Sequence, residues 1–162
     1  MSVITENETN YEFNFDYNDL IKRVINYITD YFNCNYETEV NVLLTDNPGI
    51  KKINSEFRGI DRETDVLSFP ALNFETPGVM FEPDDDCFNP DTGELILGDI
   101  MISVDKVRSQ AEEYNHTTYR ELAFLVTHSM LHLFGFDHME EEERIVMEAK
   151  QKEILNALNI PR

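Results

Sequence analysis

Three of the four histidines in this chain fall within eleven residues, in the run His128-Ser-Met-Leu-His132-Leu-Phe-Gly135-Phe-Asp-His138. A spacing of four puts His128 and His132 on one face of a helix. Gly135 can adopt the left-handed backbone that ends a helix, and the reversed chain then carries His138 back toward the first two rings. Three neutral imidazole nitrogens with an open fourth position holding water describe a catalytic rather than a closed structural zinc site. One H-x-x-x-H pair arises often by chance. Two such rings, a turn glycine and a third histidine in a chain otherwise poor in histidine do not. We therefore expect one zinc ion per chain, held by His128, His132 and His138.

The same spacing occurs in a large class of zinc peptidases, where the residue after the first histidine is the glutamate that acts as general base. Here that residue is Ser129. A hydroxyl with no neighbouring base cannot take over the proton transfer, so the site reads as a metal hydrolase of another kind. Asp137, beside His138, either orients a ligand ring or stabilises the turn. Glu121 lies two turns before His128 and is read as a capping residue rather than a base. Asp65 and Asp99 flank apolar runs, where they either organise a cleft or act as strand-end carboxylates. His116 is read as a loop histidine.

These residues need elements to position them. Ser2–Ile4 begins an edge strand, and Asp19–Phe32 repeats apolar residues with helical period. Glu39–Thr45 alternates and is rich in branched residues, hence a strand. A second helix runs from Asn47, its expected cap, through Pro48 to Phe57, closed by Arg58-Gly59. Thr64–Phe69 is a strand stopped by Pro70, followed by an acidic, proline-punctuated loop over residues 71–93. Glu94–Ser103 reads as a strand broken at Gly98-Asp99, and Val104–Tyr114 as a short helix. Thr118 and Glu121 suggest a capping box for a helix ending near Phe134, apolar nearly all round and therefore buried. Glu141–Leu158 is the last helix, its acidic start matched to the positive end of the helix dipole. The expected fold class is α+β, a small mixed sheet of about four strands packed against about five helices.

At 162 residues the chain is long enough for one domain with a sizeable core, taken as residues 1–162. No run of about 18 apolar residues and no basic-then-apolar N-terminus is present, which excludes a membrane span or secretory signal as expectations. Cys34 and Cys87 lack metal-site spacing and suit free thiols in a reducing cytoplasm. There is no internal repeat, no low-complexity segment, and no glycine-rich phosphate loop or other sign of an organic cofactor.

The net charge of −19 argues against nucleic acid when taken alone. Its distribution softens the objection. Acids concentrate in residues 1–20, 71–94 and 137–143, whereas Lys51, Lys52, Arg58 and Arg62, and then Lys106, Arg108 and Arg120, could form a local basic surface.

Four segments in order, Asn54-x-x-x-Arg58, Thr64-Asp-Val-Leu-Ser-Phe-Pro70, Leu97-Gly-Asp-Ile100 and the histidine run, resemble the motifs of the YbeY family of bacterial endoribonucleases, the rRNA maturation factors. The resemblance covers about residues 40 to 158. The chain departs from the usual pattern at Ser129, where the family has Gly, at Phe136, where it has Tyr, at Glu63, where it has Pro, and in a longer and more acidic 71–93 loop. The resemblance implies a single zinc on the three histidines, a cleft over the sheet, and a single-strand-specific endoribonuclease in 16S rRNA 3′-end maturation and ribosome quality control. It implies rRNA and the small ribosomal subunit as partners, with ribosomal proteins and an assembly GTPase. It also makes Arg58 a catalytic residue beside His128, His132 and His138, because a guanidinium fork can grip two phosphate oxygens and offset developing charge. From residues alone, Arg58 is a surface arginine closing a helix. A zinc peptidase-like hydrolase and a non-catalytic ribosome-binding assembly factor stand as alternatives.

Overall fold

The structure is a computed structural model and describes residues 1–160. Four strands form one mixed sheet in the order β1-β2-β4-β3: β1 (Ser2–Asn7), β2 (Thr38–Thr45), β3 (Val66–Pro70) and β4 (Leu95–Ser103). β1, β2 and β4 run parallel, and β3 joins β4 antiparallel at the other edge. Five α-helices complete the chain: α1 (Tyr17–Tyr31), α2 (Asn47–Arg58), α3 (Val104–Glu113), α4 (Thr118–Leu133) and α5 (Glu141–Ala157). This is the mixed sheet and five-helix α+β architecture expected.

Side-chain alternation decides which face of the sheet is covered. Val40, Val42 and Leu44 of β2 are fully or almost fully buried against the helices, as are Leu95, Leu97, Ile100 and Ile102 of β4. In β4 the buried positions change parity between Leu97 and Gly98. A bulge accounts for this: Glu39 pairs with Ile96 and Val40 with Gly98, so Leu97 is an extra residue and both halves of the strand face the same core. Gly98 therefore does not break the strand, as its sequence context suggested. Its φ of +142° and its approach to the Phe69 carbonyl are the reason the position takes glycine. On the opposite face, Asn41, Leu43, Asp99 and Met101 line an open groove beside Phe57.

α4 is the central helix, with Leu122, Ala123, Val126, Met130, Leu131 and Leu133 all at 0% exposure. It packs on α1, α3, α5 and β3, as an apolar helix must when it has no solvent face wide enough to spare. Ser129, next to the first histidine of the cluster, is also fully buried, and its hydroxyl lies 2.6 Å from that of Ser68 on β3.

Helix starts differ from expectation by one residue in two places. Asp46, not Asn47, caps α2 by accepting from the Gly49 amide at 2.8 Å. Asn47 instead accepts from Ser103 Oγ at 2.7 Å and donates its amide to Asp105, tying α2 to α3. Thr117, not Thr118, caps α4 by accepting from the Arg120 amide. Glu121 makes no capping box; it is 1% exposed and bonded to Gln110 and His116. β1 extends to Asn7, Pro70 still pairs within β3 opposite Gly98, and the 71–93 loop holds one 3₁₀ turn at Asp85–Cys87. That loop is pinned at the end of α4, where the Gly78 amide donates to the Phe134 carbonyl and Phe74 packs on the Phe134 ring.

The bulge glycine supplies the first test. Gly98→Ala forces a Cβ onto the Phe69 carbonyl oxygen and should cost about 2 kcal/mol or more. Gly93→Ala, also at positive φ (+75°) but with open space around it, should cost about 1 kcal/mol. Urea denaturation of the two variants measures the difference, and equal losses would show that the bulge is not sterically tight.

Candidate metal centre

The three histidines converge because α4 ends in one defined reversal. Gly135 takes φ +93°, its amide donates to the His132 carbonyl, and the Phe136 amide donates to Leu131 at 3.0 Å, the crossed bonds of a left-handed helix stop. Phe134 is fully buried, its ring 4.8 Å from Phe32 and 5.5 Å from Phe74. The turn is thus anchored before it reverses. A Cβ at Gly135 would lie 2.7 Å from Phe74 Cβ, so the reversal also needs the space that glycine leaves.

Past the turn, the Phe136 carbonyl faces back into the helix, 2.9 Å from His132 Nδ1. A carbonyl only accepts, so Nδ1 carries the proton and Nε2 keeps a bare lone pair. His128 Nδ1 lies 3.0 Å from the side-chain amide of Gln151 on α5. That amide can turn either end toward the ring, and its oxygen accepts the Nδ1 proton when Nε2 is the ligand atom. His128 Nε2 and His132 Nε2 are 3.2 Å apart, and a ligand nitrogen of His138 completes a set within 4.8 Å. Two nitrogens bound tetrahedrally to one zinc stand about 3.3 Å apart, so the first pair already has the separation a metal demands. The donor set therefore fits a divalent metal ion.

Electrostatics keep the first two rings in the ligand form. Burial is the largest effect on His128 and, with the charges that His132 and His138 would carry, lowers its pKa to about 4 against the opposing pull of Asp65 and Gln151. His132 is also lowered, first by burial and further by the charges of His138 and Arg58, against the Phe136 carbonyl and Asp137. Both are neutral at pH 7.

A cleft of about 680 Å³ opens beside the cluster. His128, His138, Asp65 and Gln151 face into it, with Arg120, Arg144 and Lys152 around them. Other residues singled out in the sequence land elsewhere. Arg58 is exposed at the end of α2, where its charge still reaches His132. Asp137 Oδ1 accepts from the His138 amide, a turn-stabilising role. Asp99 accepts from Asn41 beside the groove on the far face of the sheet. His116 is not an isolated loop residue, since its Nε2 lies 2.6 Å from buried Glu121. Of the basic residues, Arg120 reaches the cleft, while Lys106 pairs with Glu63 and Arg108 covers the Tyr11 ring. Gln151 went unnoticed in the sequence, although a signal existed: it shares the buried face of α5 with Met147, Ile154 and Leu155, where an uncharged polar side chain needs a partner.

Gln151→Ala should keep the fold and weaken zinc binding about 10–100-fold, measured by competition with a chelating dye; unchanged affinity would remove Gln151 from the metal's support. In chelator-stripped protein the two histidines also set a pH dependence. Their folded pKa values lie below the ordinary 6.5, so between about 4 and 6.5 the unfolded chain binds more protons. Stability is full above that window and is lost as pH falls through it. The His128 share is at most about 1.4 kcal/mol per pH unit and should vanish in His128→Gln. Parallel stability profiles for the two proteins would contradict it.

A family model described as Endoribonuclease YbeY matches residues 3–159. Curated relatives called Endoribonuclease YbeY include one from Agathobacter rectalis, 56% identical over 165 residues, and one from Lachnoclostridium phytofermentans, 56% identical over 167 residues, each match covering all of both chains. A Thermotoga maritima protein solved in solution superposes with a TM-score of 0.55 at 24% identity, over 98% of this chain and 92% of that one, a likeness of fold. With the model spanning nearly the whole described chain and identity above one half along its full length, the chain belongs to the YbeY endoribonuclease family.

Proposed function

We propose that this protein is a zinc-dependent, single-strand-specific endoribonuclease that acts in the cytoplasm on the 3′ end of small-subunit 16S rRNA and in ribosome quality control, with one zinc per chain on His128, His132 and His138. The observation that carries the reading is the convergence of three imidazole nitrogens at the edge of an open cleft that also presents Arg120, Arg144 and Lys152. When bound, the metal supplies Lewis acidity toward a phosphoryl oxygen and makes water acidic enough to ionise near neutral pH. The chain supplies the rest. Phe136 and Gln151 fix the ring orientations and the cleft cations draw the phosphodiester in, while Arg58, outside the cleft lining but with its charge felt at His132, is assigned the grip on phosphate oxygens that offsets transition-state charge.

Ser129 speaks against the peptidase-like alternative, because its hydroxyl is buried against Ser68 and no carboxylate occupies the position of the peptidase base. Among the described residues no helix is long and apolar enough to cross a membrane. The acidic stretches at residues 1–20, 71–94 and 137–143 suit contacts with basic ribosomal proteins, while an assembly GTPase is proposed on family resemblance.

Zinc-loaded protein incubated with structured rRNA fragments and, separately, with an unfolded polypeptide tests the activity. Wild type should cut RNA and leave the polypeptide intact, and His132→Ala should lose both metal and cleavage. Arg58→Lys should keep zinc yet cut at least about tenfold more slowly, since lysine keeps the charge without the fork. Polypeptide cleavage without RNA cleavage would favour the peptidase reading. Neither activity with retained ribosome binding would favour the assembly factor, and wild-type rates in zinc-loaded Arg58→Ala would take Arg58 out of the chemistry.

A further inference from the structure

A second pocket, of about 260 Å³, adjoins the metal cleft and shares Asp65, Arg120 and Phe124 with it. Phe124 stands one turn before His128 on α4, the two rings 6.4 Å apart and inclined by 20°, so the pocket begins directly beside the cluster. Tyr114 on the far side adds a half-exposed aromatic ring. Together the two rings give the pocket aromatic walls beside the metal cleft.

The polar groups of this pocket are mixed: the Arg120 guanidinium, shared with the metal cleft, is a donor, and Asp65, Gln110 and Glu121 supply acceptors. Glu121, buried at the bottom, accepts from Gln110 Nε2 at 2.8 Å and from His116 Nε2 at 2.6 Å. The same Gln110 nitrogen points its remaining proton toward Asp65 Oδ2, at a long 3.4 Å. With its donors committed, Gln110 offers its carbonyl oxygen, and Asp65 offers a carboxylate oxygen that is only weakly engaged. His116 Nδ1 has no hydrogen-bond partner among the described residues, and it is buried behind the pocket surface. The side chains of Asp65 and Gln110 thus present acceptors to whatever enters.

We propose that this second pocket is a nucleobase subsite that prefers guanine and seats the nucleotide adjoining the scissile phosphate; the proposal rests on the endoribonuclease reading above. Guanine presents two adjacent donors, N1–H and the 2-amino group, along one edge. Adenine and cytosine present one amino group beside an acceptor, and uracil presents one imino proton between two carbonyls that Asp65 would repel. Stacking on an aromatic wall adds affinity for any base, and the acceptor set adds the selection.

Binding and cleavage test it together. Guanosine, inosine and uridine 5′-monophosphates are titrated calorimetrically into the zinc-loaded protein, and cleavage is measured on single-stranded oligonucleotides varied at one position beside the cut. Guanosine monophosphate should bind at least about tenfold tighter than uridine monophosphate, with inosine monophosphate, which lacks the 2-amino group, between them. In Asp65→Asn and Gln110→Met the ratio should fall to within about twofold while zinc content stays unchanged. Equal affinity of the wild type for the three nucleotides, or a ratio preserved in both variants, overturns the subsite. Guanine-selective binding without RNA cleavage would overturn the endoribonuclease reading and leave the subsite standing; base-indifferent cleavage would do the reverse.

Discussion

Everything at the metal centre depends on the hydrogen bond from His132 Nδ1 to the Phe136 carbonyl. It exists because Gly135 reverses the chain immediately after α4, and the reversal holds because Phe134, just before it, is locked among Phe32 and Phe74. One backbone oxygen therefore does three things. It selects the ring tautomer, aims Nε2 at the position of the metal, and sets the start of the segment that carries His138. A turn of any other hand would leave two histidines on a helix with no third donor. The aromatic residues around Gly135 are as much a part of the site as its nitrogens.

The candidate ligands were legible in the sequence because their chemistry is local: a spacing of four, a glycine and a third ring all lie within one short run. The sheet, the helices and their order were legible for a similar reason, since period and punctuation are local properties. What escaped was whatever two distant segments make together. Gln151 meets His128 only once α5 has packed on α4, and the Asp65–Gln110–Glu121–His116 chain joins the start of β3 to α3 and the first turn of α4. The mistaken cap followed from the same limit. Thr118 and Glu121 have the right spacing for a capping box, but Glu121 is drawn into the interior by two partners, which leaves Thr117 to cap. Gly98 was read as a break because a glycine before an aspartate looks like a turn. Only the partner strand reveals a bulge that keeps both halves of β4 facing one core.

Charge at the cleft is mixed on a chain that is strongly acidic as a whole. A chain of net −19 places Arg120, Arg144 and Lys152 around the cleft that holds His128 and His138. Arg144 lies within reach of Glu141 and Glu148, so its charge is partly compensated on the α5 surface. Asp65 and Glu148 also line the cleft, so its cations stand among acids. Binding there should be short in footprint, because few cations are present to follow a long strand.

The parallel arrangement of β1, β2 and β4 has a bearing on how the protein is made. β2 cannot acquire its central neighbour until β4 has left the ribosome, and between them lie α2, β3 and the whole acidic loop. Until then Val40, Val42 and Leu44 have only β1 beside them, and the apolar face they will bury is open to solvent. Long-range parallel pairing is slow to close, so the nascent chain passes through an interval in which β2 is half-paired. The run of aspartates and glutamates between β3 and β4 emerges during that interval, and a charged segment of this kind disfavours edge-to-edge pairing with another chain. The loop that packs on the Gly135 turn in the finished protein is thus, earlier, the charged spacer between two strands that have yet to meet.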